Sequence, residues 1–242
     1  MKKIFASFGW ILLLLPFLSF AGTRTIFSSA NHPLIDTENR QVSGFHSISS
    51  GGSFDVFVKL GNTESLRLEG DDDLFSKIET KVENGDLKIR YKTGVRINGW
   101  NKKVSVYITA RSLRSLSVSG SGDMEVTGTI KGDKLDTRVS GSGSITLAAS
   151  VNAFTSAVSG SGEIEAKGSA KTASIQISGS GEFEGKELRT DKADVKVSGS
   201  GSVTIHANTL LNAVVSGSGD IYYSGNPRVN QTKSGSGKVS RI

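Results

Sequence analysis

Acidic side chains recur at a fixed place in the second half of this 242-residue chain. Asp123, Glu163, Glu182 and Asp220 each follow directly on a Ser-Gly-Ser-Gly tetrapeptide, and Glu125, Glu165 and Glu184 stand two residues further along. Two kinds of chemistry use carboxylates in arrays. One is a calcium ladder, in which successive turns donate oxygens to a hard cation that takes six or more of them. Here the equivalent position is Ser144, Ser202 and Lys238 in other copies, and a position that accepts lysine does not supply that oxygen set. The repeat is also about twice as long as the nonapeptide unit of calcium-binding β-rolls. The other chemistry is cleavage of a glycosidic bond, which needs two converging carboxylates. Asp71, Asp72 and Asp73, or the outward column Glu125, Glu165 and Glu184, are the candidates. A solvated turn accounts for the first group and an exposed strand face for the second.

Other reactive residues are sparse. His32, His46 and His206 are scattered, with no His-x-x-x-His pair and no Gly-x-Ser-x-Gly elbow. The Gly-rich tetrapeptides do not suit a phosphate, because a phosphate cradle needs glycines opening a helix, and these open strands. Trp100, Tyr91 and Tyr107 fit either a sugar-stacking platform or a cap on a β core. No cysteine is present, which excludes disulfides, thiolate metal sites and cysteine nucleophiles. No catalytic, cofactor-binding or metal-binding residue is therefore assigned, and no cofactor is expected.

The elements that position these residues follow from the tetrapeptide itself. Ser-Gly-Ser-Gly begins at Ser119, Ser140, Ser159, Ser178, Ser198, Ser216 and Ser234, at intervals of 21, 19, 19, 20, 18 and 18 residues. Val118, Val139, Val158, Ile177, Val197 and Val215 precede it by one position; Met124, Ile145, Ile164, Phe183, Val203, Ile221 and Val239 follow its first serine by five. Polar residues fill the positions between. Alternation of period two on both sides predicts at least two short half-buried strands per repeat, joined at a glycine corner. Equivalent residues then stack in ladders, with parallel strands about 4.8 Å apart, and seven coils give a rod of about 30–35 Å. No coil buries its apolar face alone. Asn212 and Asn226-Pro227 read as loops between coils, and the polar last copy, with Lys233 and Arg241, reads as an exposed end.

Upstream, residues 1–21 read as a signal peptide: Lys2 and Lys3, an apolar stretch, then Ser19-Phe20-Ala21 at a cleavage site. Residues 22–43 are a flexible polar lead-in. Residues 44–112 form a mixed β region, with strands at 54–58, 65–69, 86–91 and 104–108, a turn at Asp71–Asp73, a short helix and strand within Leu74–Val82, and a tight hairpin at Asn84-Gly85. A further excursion covers Asn98-Gly99-Trp100-Asn101. Residues 113–242 are the repeat, continuous with the β region as one all-β domain. The net charge of +6 is spread along the chain without basic clusters interleaved with aromatics, so nucleic acid is not expected as a partner. No second apolar run is long enough to span a membrane after signal cleavage.

An ordered set of segments resembles a known family. It comprises Phe45-His46-Ser47-Ile48 and Phe54-Asp55-Val56, then Leu68-Glu69-Gly70-Asp71 and Asn84-Gly85-Asp86-Leu87-Lys88-Ile89. Val106-Tyr107-Ile108-Thr109-Ala110 and the Val-Ser-Gly-Ser-Gly coils complete it. Over about residues 44–225 this is similar to the secreted bacterial family described as "putative auto-transporter adhesin, head GIN domain", common in the Bacteroidetes. The resemblance implies a right-handed parallel β-helix-like solenoid with a mixed β region at its N-terminal end, and a role in the envelope or in adhesion. It brings no catalytic residues. With the last residue at Ile242, no translocating barrel is expected.

Together these readings describe a non-catalytic exported protein of the periplasm, outer-membrane surface or medium. Its rigid solenoid would bind cell-surface polysaccharide or envelope proteins. A carbohydrate-active β-helix enzyme and a self-assembling structural module are the alternatives.

Overall fold

A computed structural model of the protein describes residues 36–95 and 103–242. Residues 1–21, read above as a signal peptide, most of the lead-in, His32, and the Asn98–Asn101 excursion with Trp100 lie outside the described residues. Residues from Ile35 onward form one compact unit, in which all strands join a 16-stranded sheet around a single apolar core. No helix among the described residues is long and apolar enough to cross a membrane.

The first half of the unit comprises β1 (Asp36–Arg40), β2 (Ser47–Gly52), β3 (Asp55–Leu60), β4 (Ser65–Gly70) and α1 (Asp72–Phe75). It continues with β5 (Ile78–Glu83), β6 (Asp86–Tyr91), β7 (Val104–Ala110) and β8 (Ser115–Gly120). The coils are β9 (Asp123–Gly141), β10 (Ser144–Gly160), β11 (Glu163–Gly179), β12 (Glu182–Gly199) and β13 (Ser202–Gly217). β14 (Asp220–Ser224), β15 (Arg228–Ser234) and β16 (Val239–Arg241) close the chain.

The repeat is a β-solenoid. Val139, Val158, Ile177, Val197 and Val215 lie side by side in register on parallel neighbours, all of them buried. Burying each such side chain stabilises the fold by roughly 1.5–3 kcal/mol, realised only when the adjacent coil is present. The coils differ from the expected pairs of short strands in one respect. β9 to β13 are single bent strands of 16–19 residues, because the parallel ladder resumes directly beyond the second bend of each coil. Differences in coil length are absorbed at that second bend. Register shifts fall between Thr146 and Ala148, between Glu165 and Gly168, and between Gly185 and Arg189. Asn212 is likewise a ladder residue rather than a loop: it pairs with Asp194 across to β12, and its Nδ2 donates to Asp194 Oδ1 at 2.6 Å. Asn226 and Pro227 do lie in a loop, between β14 and β15.

The corner uses its two glycines differently. Gly160, the first of its tetrapeptide, has φ 113°, a region that side chains with a Cβ rarely enter. Gly162, the second, is not in that region; a Cβ there would meet Val139 Cγ1 and the Gly143 carbonyl oxygen of the preceding coil. Gly160 both turns the chain and lets two coils approach, since a Cβ there would also meet the Gly141 carbonyl oxygen; Gly162 does only the second. The corner carbonyls accept hydrogen bonds from the next coil, as when Gly120 O takes Ser142 N–H at 2.9 Å and Gly143 N–H at 3.0 Å.

The N-terminal region continues the solenoid. β2 pairs in parallel with β8, and β3 with β9. At the end of β2 lies Ser50-Gly51-Gly52-Ser53, where Gly52 aligns with Gly120, has φ 139°, and accepts Ser121 and Gly122 N–H at 3.1 Å each. This is a further corner with altered lettering. β6 and β7 form the next coil, parallel to β2 and β3. The direction then reverses. β5 runs antiparallel to β6 through Asn84 (φ 52°) and Gly85 (φ 78°), and β4 runs antiparallel to β7. The segment expected to be a turn at Asp71–Asp73 instead opens α1, whose Leu74 and Phe75 are buried. At the other end β15 is largely exposed and β16 mostly half-buried.

The expectation of a flexible lead-in does not extend to Asp36–Arg40. These residues form β1, antiparallel to β4. The strand lacks an apolar face to announce it. Backbone pairing holds it, together with Arg40, which donates to the carbonyls of Ile78 at 2.8 Å and Phe75 at 2.6 Å.

Candidate functional site

The strand segments that follow each corner carry the acidic residues outward. In-register pairing places Asp123, Ser144, Glu163, Glu182, Ser202 and Asp220 in one column. A second column runs Arg67, Tyr107, Phe57, Glu125, Thr146, Glu165 and Glu184. Alternation forces this arrangement: Met124, Ile145, Ile164 and Phe183, between the two columns, point into the core.

The structure thus brings Glu163, Glu165, Glu182 and Glu184 together on two adjacent strands. Their proximity has an electrostatic consequence. Partial desolvation on the sheet, then the charges of Glu182, Glu165 and Glu184, push the Glu163 carboxyl above its ordinary value. Several of the carboxylates are occupied. Ser144 Oγ donates to Asp123 Oδ1 at 2.7 Å, Lys167 sits 3.0 Å from Glu165, and Asp220 accepts Tyr222 O–H at 3.1 Å and Lys238 N–H at 2.8 Å. All stand side by side on an open face. A glycosidase pair instead flanks its scissile bond, and none of the surface recesses described is lined by these residues. Among the described residues no group of three or more His, Asp or Glu side chains is placed to hold a metal ion.

Asp71, Asp72 and Asp73 serve α1. Leu74 N–H donates to Asp71 O at 3.0 Å and Asp73 N–H to Asp72 Oδ1 at 2.7 Å. His46 and His206 lie apart. His46 sits against Gly85 of the hairpin and contacts Ser47 Oγ at 3.2 Å. His206 contacts Ser224 Oγ and Asn208 Oδ1, each at 3.0 Å.

The aromatic residues separate. Tyr91 packs on Phe54 with ring centroids 4.5 Å apart, and burial raises its phenol pKa against the opposing effect of a hydrogen bond with Ser53. It closes the core. Tyr107 belongs to a surface stack: its ring lies 5.2 Å from that of Phe57 at an interplanar angle of 21°, with the Arg67 guanidinium 4.7 Å from the ring centroid. Arg67 also pairs with Glu69 at 3.0 Å. Phe57 is 38% exposed and lines a recess of about 330 Å³ with Asn39, Lys59, Ser65 and Thr127. Sequence reasoning missed Phe57. The signal was its phase: in Val56-Phe57-Val58 the valines are buried, so the phenylalanine must face outward.

Comparison with known proteins places this architecture. The family model described as "Putative auto-transporter adhesin, head GIN domain" matches residues 44–227. No curated protein matches. A crystal structure of a putative adhesin from Bacteroides fragilis is 23% identical, covers 86% of this chain and 97% of its own, and superposes with a TM-score of 0.79. A putative lipid binding protein from Parabacteroides distasonis is 24% identical over 87% of this chain and 98% of its own, with a TM-score of 0.70. A putative adhesin from the same species is 24% identical over 86% and 97%, with a TM-score of 0.69. At these identities the likeness is one of fold.

Proposed function

Because this chain belongs to the family described as "putative auto-transporter adhesin, head GIN domain", we propose that it is a non-catalytic exported protein that binds polysaccharide or protein at the cell envelope through its rigid solenoid. The observation that carries this reading is the straight outward column that starts with the Arg67–Tyr107–Phe57 stack and continues over polar side chains coil after coil. Such a surface offers many weak, evenly spaced contacts, which suits a ligand that itself repeats. Exposed aromatic rings supply the apolar contact that a polar ladder lacks. The carboxylates beside them are arrayed on an open strand face, which favours binding over hydrolysis.

Purified protein should be retained by a cell-surface polysaccharide fraction or by members of a glycan array, and should release no sugar from them. Phe57→Ala combined with Tyr107→Ala should weaken retention tenfold or more while leaving the circular dichroism unchanged, since each aromatic contact is typically worth about 0.5–1.5 kcal/mol. Failure of the wild-type protein to bind any surface fraction or glycan would remove the adhesive reading, and turnover of a polysaccharide would replace it with an enzymatic one.

A further inference from the structure

The second bend of the coils forms a different surface from the acidic columns. Coil lengths there are uneven: the coils starting at Ser119 and Ser178 span 21 and 20 residues, and the two between them 19 each. The surplus emerges at the bend, as the register shifts record. Two longer bends therefore flank two shorter ones, leaving a saddle between them, and with the recesses on either side of it the saddle makes a stepped trough along the solenoid. Its floor is an outward column reading Lys131, Ser150, Ser169, Arg189 and His206 in register. Small serines occupy the two short coils, and long cationic side chains rise on either side, three strand spacings or about 14 Å apart. A recess of about 380 Å³ fills the saddle. It shares Gly132 with a recess of about 560 Å³ on one side, and Arg189 and Asn208 with one of about 650 Å³ on the other.

The charges of the trough are unevenly satisfied. Of its four carboxylates, Asp133 accepts Asn152 Nδ2 at 2.7 Å, Asp136 is 3.0 Å from Lys134, and Glu187 is 3.9 Å from Lys167. Only Asp191 has no such partner among the described residues. By contrast Lys131, Lys171, Lys186 and Arg189 line the trough and make no ion pair among the described residues. Between the cations lie the hydroxyl groups of Ser150 and Ser169, with Val151 and Ala170 buried beneath, and the Asn208 amide lies beyond Arg189 on β13. No Phe, Tyr or Trp side chain lines any of the three recesses, so the His206 imidazole is the one ring there on which a nucleic-acid base could stack.

We propose that this trough is a binding site for an anionic polysaccharide, laid along the solenoid axis across Lys131, Lys171 and Arg189. The proposal rests on the reading of the protein as a surface-ligand binder, and it names the site and the ligand class. Unpaired cations recognise carboxylate, sulfate or phosphate groups on the glycan, with arginine offering a two-pronged contact. The serine and asparagine groups meet the sugar hydroxyls. The length of the trough, over several coils, suits a chain rather than a single anion.

Binding of the full chain to polygalacturonate, a sulfated glycosaminoglycan and neutral dextran should be compared by calorimetry at low and high salt. The anionic polymers should bind, more weakly at high salt, and dextran should not. The polyuronate and sulfated arms distinguish which anion is preferred. Lys171→Gln with Arg189→Gln should weaken anionic binding tenfold or more. Arg138→Gln with Lys196→Gln removes the same charge from exposed strand positions outside the trough and should change it less than twofold. Equal losses in the two double variants would show attraction to net charge alone and overturn the site. Preferential binding of anionic lipid vesicles, or of dextran, would overturn the ligand class. If the trough variant still binds while the Phe57/Tyr107 variant does not, the site fails and the adhesive reading survives; if nothing binds the wild type, both fail.

Discussion

Single residues in this protein are constrained by the coil above and the coil below. Gly160 illustrates two forms of that constraint, a backbone angle and a contact, and Gly162 the contact alone. Alanine at either should destabilise the fold by about 1–3 kcal/mol. Gly132→Ala should stay within about 0.5 kcal/mol, because a Cβ there meets nothing within 4 Å. Thermal melts of the three variants check this, and equal melting temperatures would refute it. Ser156 is a different case. It is 1% exposed and its hydroxyl has no hydrogen-bond partner, so Ser156→Ala removes a buried polar group that has given up water for nothing. The variant should gain about 1 kcal/mol, or roughly 2–4 °C in melting temperature for a chain of this size. The regular apolar columns were legible in sequence because each recurs in coil after coil. Ser156 is less plain, since a polar residue interrupts its column and its inward direction follows only from its phase midway between the buried Phe154 and Val158.

At the level of elements, the legible parts were those that obey a local rule. The hairpin at Asn84-Gly85 was plain because both residues accept positive φ. The corner at Gly51-Gly52 was hidden: Ser50 stands where the later coils have a valine, and the tetrapeptide spelling is lost, although Gly52 keeps the same carbonyl contacts. β1 was hidden because nothing local distinguishes a polar strand from a polar tail. The candidate surface was half legible. Its carboxylate columns followed from the repeat, but the Phe57–Tyr107–Arg67 stack required knowing that β3, β7 and β4 are neighbours. The β5–β6 hairpin also carries a titration of its own. Hydrogen bonds from Lys81 and then Lys88, reinforced by their charges, hold the Glu83 carboxyl down to about 2. Any stability it confers is present above the ordinary carboxylate range and lost as pH falls through that value. A carboxyl-carbon NMR titration should find this low midpoint, and Lys81→Gln should raise it more than Lys88→Gln. An ordinary midpoint in the wild type would show that the pairs do not persist in solution.

The whole molecule is a stack whose neighbours matter more than its ends. β10 and β11 pair at a uniform offset of 19 residues, so removing Ser161–Gly179 deletes one coil and rejoins the chain within an intact Ser-Gly-Ser-Gly. Because coils contact mainly their neighbours, the shortened protein should remain folded, with the same β-type circular dichroism and a lower melting temperature. Loss of cooperative unfolding would show that the coils are not separable. The corner that sets this stack apart from an ordinary sheet has a mechanical consequence. A pull along the solenoid axis acts across the strands, and so opens the ladder hydrogen bonds one row at a time rather than shearing them together. Each coil peeled from the end would release roughly 60–75 Å of chain. A surface protein built this way would yield under tension in even steps, lengthening at nearly constant force while the coils nearer its anchor stayed intact.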